Sequence, residues 1–131
     1  MLLVTLAWVA FYAYNKVFDW INTYKPKDVA GTYRLVRTTL PIPANTYTKL
    51  TIKLYENEVY ATSPLPDTLN IGRSGHYQLW SKADQTHPIT FVNKEETSDG
   101  YFEKPGRISF KTREDLDNPV TIAVFERSSQ R

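Results

Sequence analysis

The chain has 131 residues, of which 41% are hydrophobic and 23% charged, and its formal net charge is +2. This balance is that of a folded domain and excludes wholesale disorder, while the near-neutral charge gives no electrostatic basis for binding nucleic acid. The chain contains no cysteine, which excludes disulfides, thiolate metal sites, a thiol nucleophile and a lipid-modified cysteine anchor.

The first twenty-four residues have the pattern of an apolar helix. Residues 2–14 read LLVTLAWVAFYAY and contain neither Gly nor Pro, so nothing interrupts a helix there. This run alone is too short to span a bilayer, but helical spacing continues through Val17, Phe18 and Ile21. Residues 2–21 as one helix would rise about 30 Å, the thickness of the hydrocarbon layer. We therefore predict a membrane-anchor helix that contacts membrane lipid.

Two alternatives to the anchor stay open, namely a cleaved signal peptide and a soluble helix packed on the domain. A signal peptide would need a basic start and an A-x-A site, and the sequence has neither. All nearby basic residues follow the apolar run, which places the domain in the cytoplasm by the positive-inside rule. Small β-domains behind a single anchor are, however, often exported. We predict membrane localisation and leave the side open, with a preference for the periplasmic or extracytoplasmic face.

The hydrophobic period changes from 3.6 to 2 after Asp28, which is typical of strands. We therefore divide the chain into an anchor helix (1–24), a linker (25–30) and a β-domain (31–131). The alternating runs are Gly31–Val36, Thr48–Tyr55, Glu58–Thr62, His76–Lys82, Pro88–Asn93, Arg107–Thr112 and Val120–Arg127.

Turn signals separate these runs at short intervals. Glu56-Asn57, Asp99-Gly100 and Pro105-Gly106 each predict a tight turn. The longer connections 40–46 and 63–75 are candidate binding loops. The fold predicted is mainly β: an N-terminal α-helix followed by an antiparallel meander of about eight strands that closes as a small barrel, with a β-sandwich as the alternative.

The start of the β-domain resembles a known family. Residues 28–35 read DVAGTYRL, with Gly31 and Tyr33 at the positions of a G-x-W motif and Arg127 late in the final strand. This arrangement is similar to lipocalin-like barrels (calycins and the small META-like domains), in which a closing arginine packs across the first-strand aromatic. The resemblance implies a role in binding or in maintaining the cell envelope rather than in catalysis.

The sequence shows no catalytic constellation. His76 and His87 are the two histidines of the chain. They could share a metal or proton site across a hairpin, or they could be two exposed histidines at strand ends. The acidic stretches 95–99 and 114–117 lack the spacing of known metal loops and are typical of solvated turns. We therefore predict neither a metal nor a cofactor, and we expect that the protein is not an enzyme.

The leading functional hypothesis is a membrane-anchored domain that binds another protein, as an accessory subunit, an inhibitor or an immunity-type factor. A lipocalin-like carrier of a small apolar ligand is the second hypothesis, and a small enzyme is the third. The interface candidates are Val17, Phe18, Ile21 and an outward aromatic patch of Tyr55, Tyr60 and Trp80. The carrier would need an internal cavity lined by Tyr33, Leu50, Ile52, Phe91 and Phe110.

Overall fold

The meander predicted from the alternating runs closes on itself as a barrel. The computed structural model describes residues 23–81, 87–94, 96–111 and 120–128, and eight antiparallel strands pair there in chain order until the last strand pairs with the first. The barrel prediction is confirmed, and the sandwich alternative is wrong. The strands are β1 (Gly31–Thr38), β2 (Thr51–Leu54), β3 (Val59–Thr62), β4 (Ser74–Leu79), β5 (His87–Val92), β6 (Thr97–Lys104), β7 (Arg107–Lys111) and β8 (Thr121–Arg127).

The interior of the barrel is filled by the inward side chains of these strands. Aromatic rings meet edge to face or tilted, with centroids 5.1 Å apart for Tyr60 and Phe91 and 5.7 Å apart for Phe110 and Phe125. Full burial of such a side chain contributes about 1.5–3 kcal/mol, so the rings dominate the stability of the barrel. The buried set is Val29, Tyr33, Leu35, Ile52, Leu54, Tyr60, Leu69, Tyr77, Ile89, Phe91, Phe102, Ile108, Phe110, Ala123 and Phe125.

The hairpin between β2 and β3 contains one residue more than a symmetric two-residue turn. Glu58 has a φ of 68°, and Tyr55 both donates to the Val59 carbonyl and accepts from the Glu58 N–H. This is a type I turn followed by a left-handed bulge residue. The extra residue pairs Leu54 with Tyr60, so Tyr60 faces the interior and is 0% exposed. The prediction that Tyr60 points outward is wrong for this reason.

The Asp99-Gly100 pair lies inside β6 and not in a turn. Gly100 pairs with Ile89 across to β5, while the β5–β6 connection falls at residues 93–96, where the Asn93 N–H donates to the Glu96 carbonyl. A Cβ at Gly100 would lie 3.0 Å from the ring of Phe110. The glycine therefore serves close packing within a strand, which sequence reading does not distinguish from turn formation. The Pro105-Gly106 turn between β6 and β7 is confirmed.

Two short 3-10 helices occupy the longer connections. Ala44–Lys49 forms the first, so the predicted strand start at Thr48 is wrong and β2 begins at Thr51. Asp67–Leu69 forms the second and buries Leu69 against one end of the barrel. The loops are thus partly structured, and each returns apolar side chains to the core.

The chain that leads into β1 packs on the barrel. The predicted linker contains a short α-helix, α1 (Pro26–Val29), whose Val29 is fully buried. Tyr24 stacks on His87 with ring centroids 3.9 Å apart, and the Thr23 and Ser81 hydroxyls are 3.1 Å apart. The predicted anchor helix lies outside the described residues up to position 22. In the described part of the chain, no helix has the length and hydropathy needed to cross a bilayer.

Candidate functional site

The three residues that carry the family resemblance come together where the barrel closes. Tyr33 pairs with Arg127 between β1 and β8, and the guanidinium carbon lies 6.0 Å from the Tyr33 ring centroid. Arg127 Nη1 donates to the carbonyls of Asp28 and Ala30 at 2.9 and 3.1 Å. Gly31 adopts a φ of 144°, and a Cβ there would lie 2.6 Å from Arg127 Cδ. The cluster joins the lead segment to the last strand, which is a structural role.

Burial keeps the phenols of two core tyrosines in the neutral form. The Tyr33 hydroxyl donates to the carbonyls of Val29 and Pro105 at 2.6 and 2.9 Å. Burial raises the pKa of Tyr33, while the nearby Arg127 charge acts in the opposite direction. The Tyr77 hydroxyl donates to the Tyr55 carbonyl at 2.5 Å, and burial raises the pKa of Tyr77 to about 12. Both hydroxyls therefore stay protonated near neutral pH and act as hydrogen-bond donors within the core, not as acids.

The residues proposed to line a ligand cavity occupy the core instead of an open chamber. Tyr33, Ile52, Phe91 and Phe110 are buried and belong to one continuous cluster. Leu50 is partly buried at its edge, directly after the first 3-10 helix. These side chains contact one another, as the 6.0 Å separation of the Phe91 and Phe110 rings shows.

A hollow of about 540 Å³ opens at the end of the barrel near the second 3-10 helix. Phe110 is the one residue of the proposed cavity set that borders it. Leu69 and Ser98 form part of its lining, and the Ser98 hydroxyl donates to the Leu69 carbonyl at 2.7 Å. The full lining is Leu40, Thr68, Leu69, Asn70, Thr97, Ser98, Asp99, Phe110, Lys111 and Ile122.

Two of the three residues proposed for the aromatic patch are exposed on the surface. Tyr55 and Trp80 are exposed by 40% and 46%, whereas Tyr60 lies inside the barrel. Tyr55 has the Lys53 ammonium 5.1 Å from its ring centroid. The other interface candidates, Val17, Phe18 and Ile21, fall outside the described residues.

Trp80 is an exposed aromatic residue whose indole is held by a hydrogen bond. Its indole N–H donates to the Thr90 hydroxyl at 2.9 Å, and that hydroxyl is 2.8 Å from the Asp99 carboxylate. The outward side chains of β4–β6 bring the three residues together, because Thr90 pairs with Asp99 and with Gln78. We name the outer surface formed by Trp80, Thr90, Val92 and Asp99 the open face.

The outer surface of β6–β8 is covered by its own side chains, and we name it the covered face. Tyr101 reaches from β6 across β7 towards Thr121, with the two hydroxyls 3.4 Å apart. The Lys111 ammonium lies over the Tyr101 ring, 4.6 Å from its centroid. On the same strands Ser109 and Val124 pair with each other and are buried although they point outward.

Charged residues close the covered face on the side of the Pro105-Gly106 turn. Arg107 Nε donates to Glu126 Oε1 at 2.8 Å, and Arg107 Nη1 donates to Glu103 at 3.3 Å. The Ser109 hydroxyl donates to the other Glu103 oxygen at 3.1 Å. The positive charge of Arg107 therefore lies between two negative charges, those of Glu103 and Glu126.

The structure does not bring the two histidines together. His76 pairs with Val92 and His87 with Phe102, so they lie at opposite ends of β5, about 16 Å apart at the rise of a strand. Among the described residues, no group of three or more His, Asp or Glu side chains is arranged to hold a metal ion. The acidic residues 114–117 lie outside the described part of the chain.

Sequence reasoning missed the hydrogen-bonded set on the open face. The sequence predicts Thr90 within the strand run Pro88–Asn93 and Asp99 in a turn, with no link to Trp80. The signal that connects them is the strand register, in which Thr90 lies opposite Asp99. That register depends on the position of the β5–β6 connection. The Asp99-Gly100 pair predicts a turn at the wrong position, so the register does not follow from the sequence.

The fold defines the class of protein as an eight-stranded antiparallel barrel, consistent with lipocalin-like barrels. Neither protein-family models, nor curated proteins, nor solved structures give a match to the chain.

Proposed function

We propose that the protein is a non-enzymatic, membrane-anchored β-barrel that binds another protein through its open face. The observation that carries this proposal is Trp80, an exposed indole whose orientation is fixed by its hydrogen bond to Thr90. Tryptophan is enriched among the residues that dominate binding energy, and a ring held in one orientation loses little entropy on binding. An accessory subunit, an inhibitor or an immunity-type factor would each use such a surface.

The packed interior supports protein binding over the carriage of a small apolar ligand. Phe91, Phe110 and Tyr60 fill the space that a ligand of that kind would need. The apolar run of residues 2–14 supports the membrane anchor and contact with lipid. We propose membrane localisation through this single anchor, with the domain on the periplasmic or extracytoplasmic side.

Affinity capture from cross-linked membranes tests the proposal. The tagged full-length chain, solubilised in detergent, is expected to recover a stoichiometric partner. Trp80→Ala should lower that recovery about tenfold or more, because a central tryptophan typically contributes 2 kcal/mol or more to binding. Val36→Ala is the matched control, since Val36 is 45% exposed, close to the 46% of Trp80, but lies away from the open face on β1. Recovery of the chain alone, or equal loss in both variants, would contradict the proposal.

A further inference from the structure

The chain segment that leads into β1 is held on the barrel at both of its ends. In this lead segment, residues 23–30, the Thr23 hydroxyl lies 3.1 Å from that of Ser81, and the Tyr24 ring stacks on the first residue of β5. At the other end of the segment, Arg127 of β8 donates to two of its carbonyls. Contacts at both ends give the lead segment one position relative to the strands.

The meander brings the lead segment and every second connection to the same end of the barrel. Because neighbouring strands are antiparallel, the β2–β3, β4–β5 and β6–β7 connections lie at the end where β1 begins. We name this the near end, and Trp80 and Ser81 belong to it because they directly follow β4. The opposite end, which we name the far end, carries the two 3-10 helices and the hollow of about 540 Å³.

The proposed anchor stops close to the near end. Residues 2–21 supply the length that spans the hydrocarbon layer, so two positions separate the end of that span from Thr23. Two residues of extended chain cover at most about 7 Å. Trp80 is the neighbour of Ser81, which Thr23 contacts. A bilayer that holds the anchor therefore lies close to the exposed indole.

The far end is separated from the bilayer by the height of the barrel. Strand β6 has eight residues, which extend over about 26 Å, or about 20 Å along the barrel axis at a strand tilt of about 40°. The long connections and the hollow therefore point away from the membrane when the near end points towards it.

We infer that the lead segment holds the near end against the bilayer, so that the open face meets a partner embedded in the same membrane. The inference rests on the proposed function, from which it takes the anchor and the binding role of Trp80, and it specifies the class of partner. An embedded protein presents its surface directly outside the lipid, at the height of Trp80. Tryptophan suits this position because its ring is compatible with the boundary between apolar and aqueous surroundings.

Distances from the lipid headgroups test the orientation. The chain contains no cysteine, so one introduced cysteine carries a donor dye at a known position. Glu56→Cys labels the near end, and Asp67→Cys is the matched control at the far end, because each replaces an exposed carboxylate outside the strands. Energy transfer to acceptor dyes on the headgroups is measured for the full-length chain in phosphatidylcholine vesicles. We expect a distance about 20 Å longer for Asp67→Cys.

A longer connection tests the role of the lead segment in this orientation. Insertion of about ten Gly and Ser residues before Thr23 adds a flexible chain with an end-to-end distance of roughly 16–19 Å, which lets the barrel turn relative to the bilayer. The difference between the two labelled positions should then largely disappear. Equal distances without the insertion, or an undiminished difference with it, would overturn the inference.

Transfer of a label from the open face tests the class of partner. A photoreactive biotin tag is attached through a disulfide to Val92→Cys, because Val92 is 39% exposed on the open face. After irradiation of native membranes, reduction leaves the biotin on the partner alone. We expect the labelled partner to stay in the membrane pellet during extraction with alkaline carbonate.

The outcomes separate this inference from the proposed function. A labelled partner that carbonate releases would overturn the inference, while capture that depends on Trp80 would leave the function standing. A chain that labels no protein would overturn the proposed function, and with it the assignment of a partner class, even if the two distances differ as expected.

Discussion

The covered face and the open face lie on neighbouring strands of one barrel, but they differ in how far their outward aromatic rings are exposed. On the covered face, Tyr101 reaches Thr121 and receives Lys111, so the surface completes its own contacts. On the open face, the hydrogen bonds orient Trp80 without covering its ring. Hydrogen bonds on the surface of a barrel can therefore have two results. Where other side chains cover the aromatic ring, the surface is closed to a partner; where the ring stays exposed, the bonds fix its orientation for binding.

The largest expected effect on stability concerns the pairing of β1 with β8, which closes the barrel beside the covered face. Gly31→Ala should lower the free energy of unfolding by about 2–3 kcal/mol, because alanine is strained at a φ of 144° and its Cβ would meet Arg127. Denaturant unfolding of the full-length chain in detergent measures this. Gly106→Ala is the control, since a Cβ there meets nothing closer than 3.9 Å. Equal losses of stability in the two variants would show that the backbone conformation of Gly31 and its contact with Arg127 do not limit the residue at this position.

Removal of one aromatic side chain from each face tests the comparison directly. Tyr101→Ala should lower the free energy of unfolding by about 2 kcal/mol, because it removes a partly buried ring that lies opposite Ser109 and beneath Lys111. Trp80→Ala should cost less than about 1 kcal/mol, since half of that ring is already in solvent. The two values come from the same denaturant titration. A larger loss for Trp80→Ala than for Tyr101→Ala would reverse the assignment of the two faces.

The last expected effect is a dependence on pH and concerns Tyr77, which lies on β4 beneath the open face. Tyr77→Phe should cost about 1 kcal/mol near neutral pH through the lost hydrogen bond to Tyr55. The phenol has a pKa of about 12 in the folded chain against 10.0 in the unfolded chain. Above pH 10 the unfolded wild-type chain releases this proton first, so wild-type stability falls with pH. The phenylalanine variant lacks that loss.

The free energies of unfolding of wild type and Tyr77→Phe should therefore converge and then cross as the pH rises from 10 to 12, because a shift of two pKa units corresponds to roughly 2.7 kcal/mol and exceeds the hydrogen-bond contribution. Tyr33 is present in both chains, and its raised pKa lowers the stability of both equally. A constant difference between the two chains across this range would mean that the Tyr77 pKa is not raised.

Much of the fold follows from the alternation of apolar and polar residues. The pattern predicts the meander, its closure and the inward direction of Tyr33, Ile52 and Phe91, because burial of one strand face is decided locally. The approach of Gly31, Tyr33 and Arg127 also agrees with the resemblance to lipocalin-like barrels.

The wrong predictions of the fold come from single residues whose type is compatible with two different backbone roles. Glu58 adopts a left-handed conformation without the glycine that normally signals it, and this shifts Tyr60 to the interior. Gly100 looks like a turn residue, but it makes room for Phe110 within a strand. The open face could not be predicted, because Thr90 and Asp99 meet only once the β5–β6 register is known.

The bonds from Arg127 to the backbone of Asp28 and Ala30 join positions almost a hundred residues apart. Of the eight described strands β8 is synthesised last, so β1 has no neighbour on one side until β8 has been made. Loop closure over such a distance slows folding. The nascent chain must therefore keep an unpaired strand edge in solution, and a prematurely terminated chain would present that edge to aggregation or to chaperones.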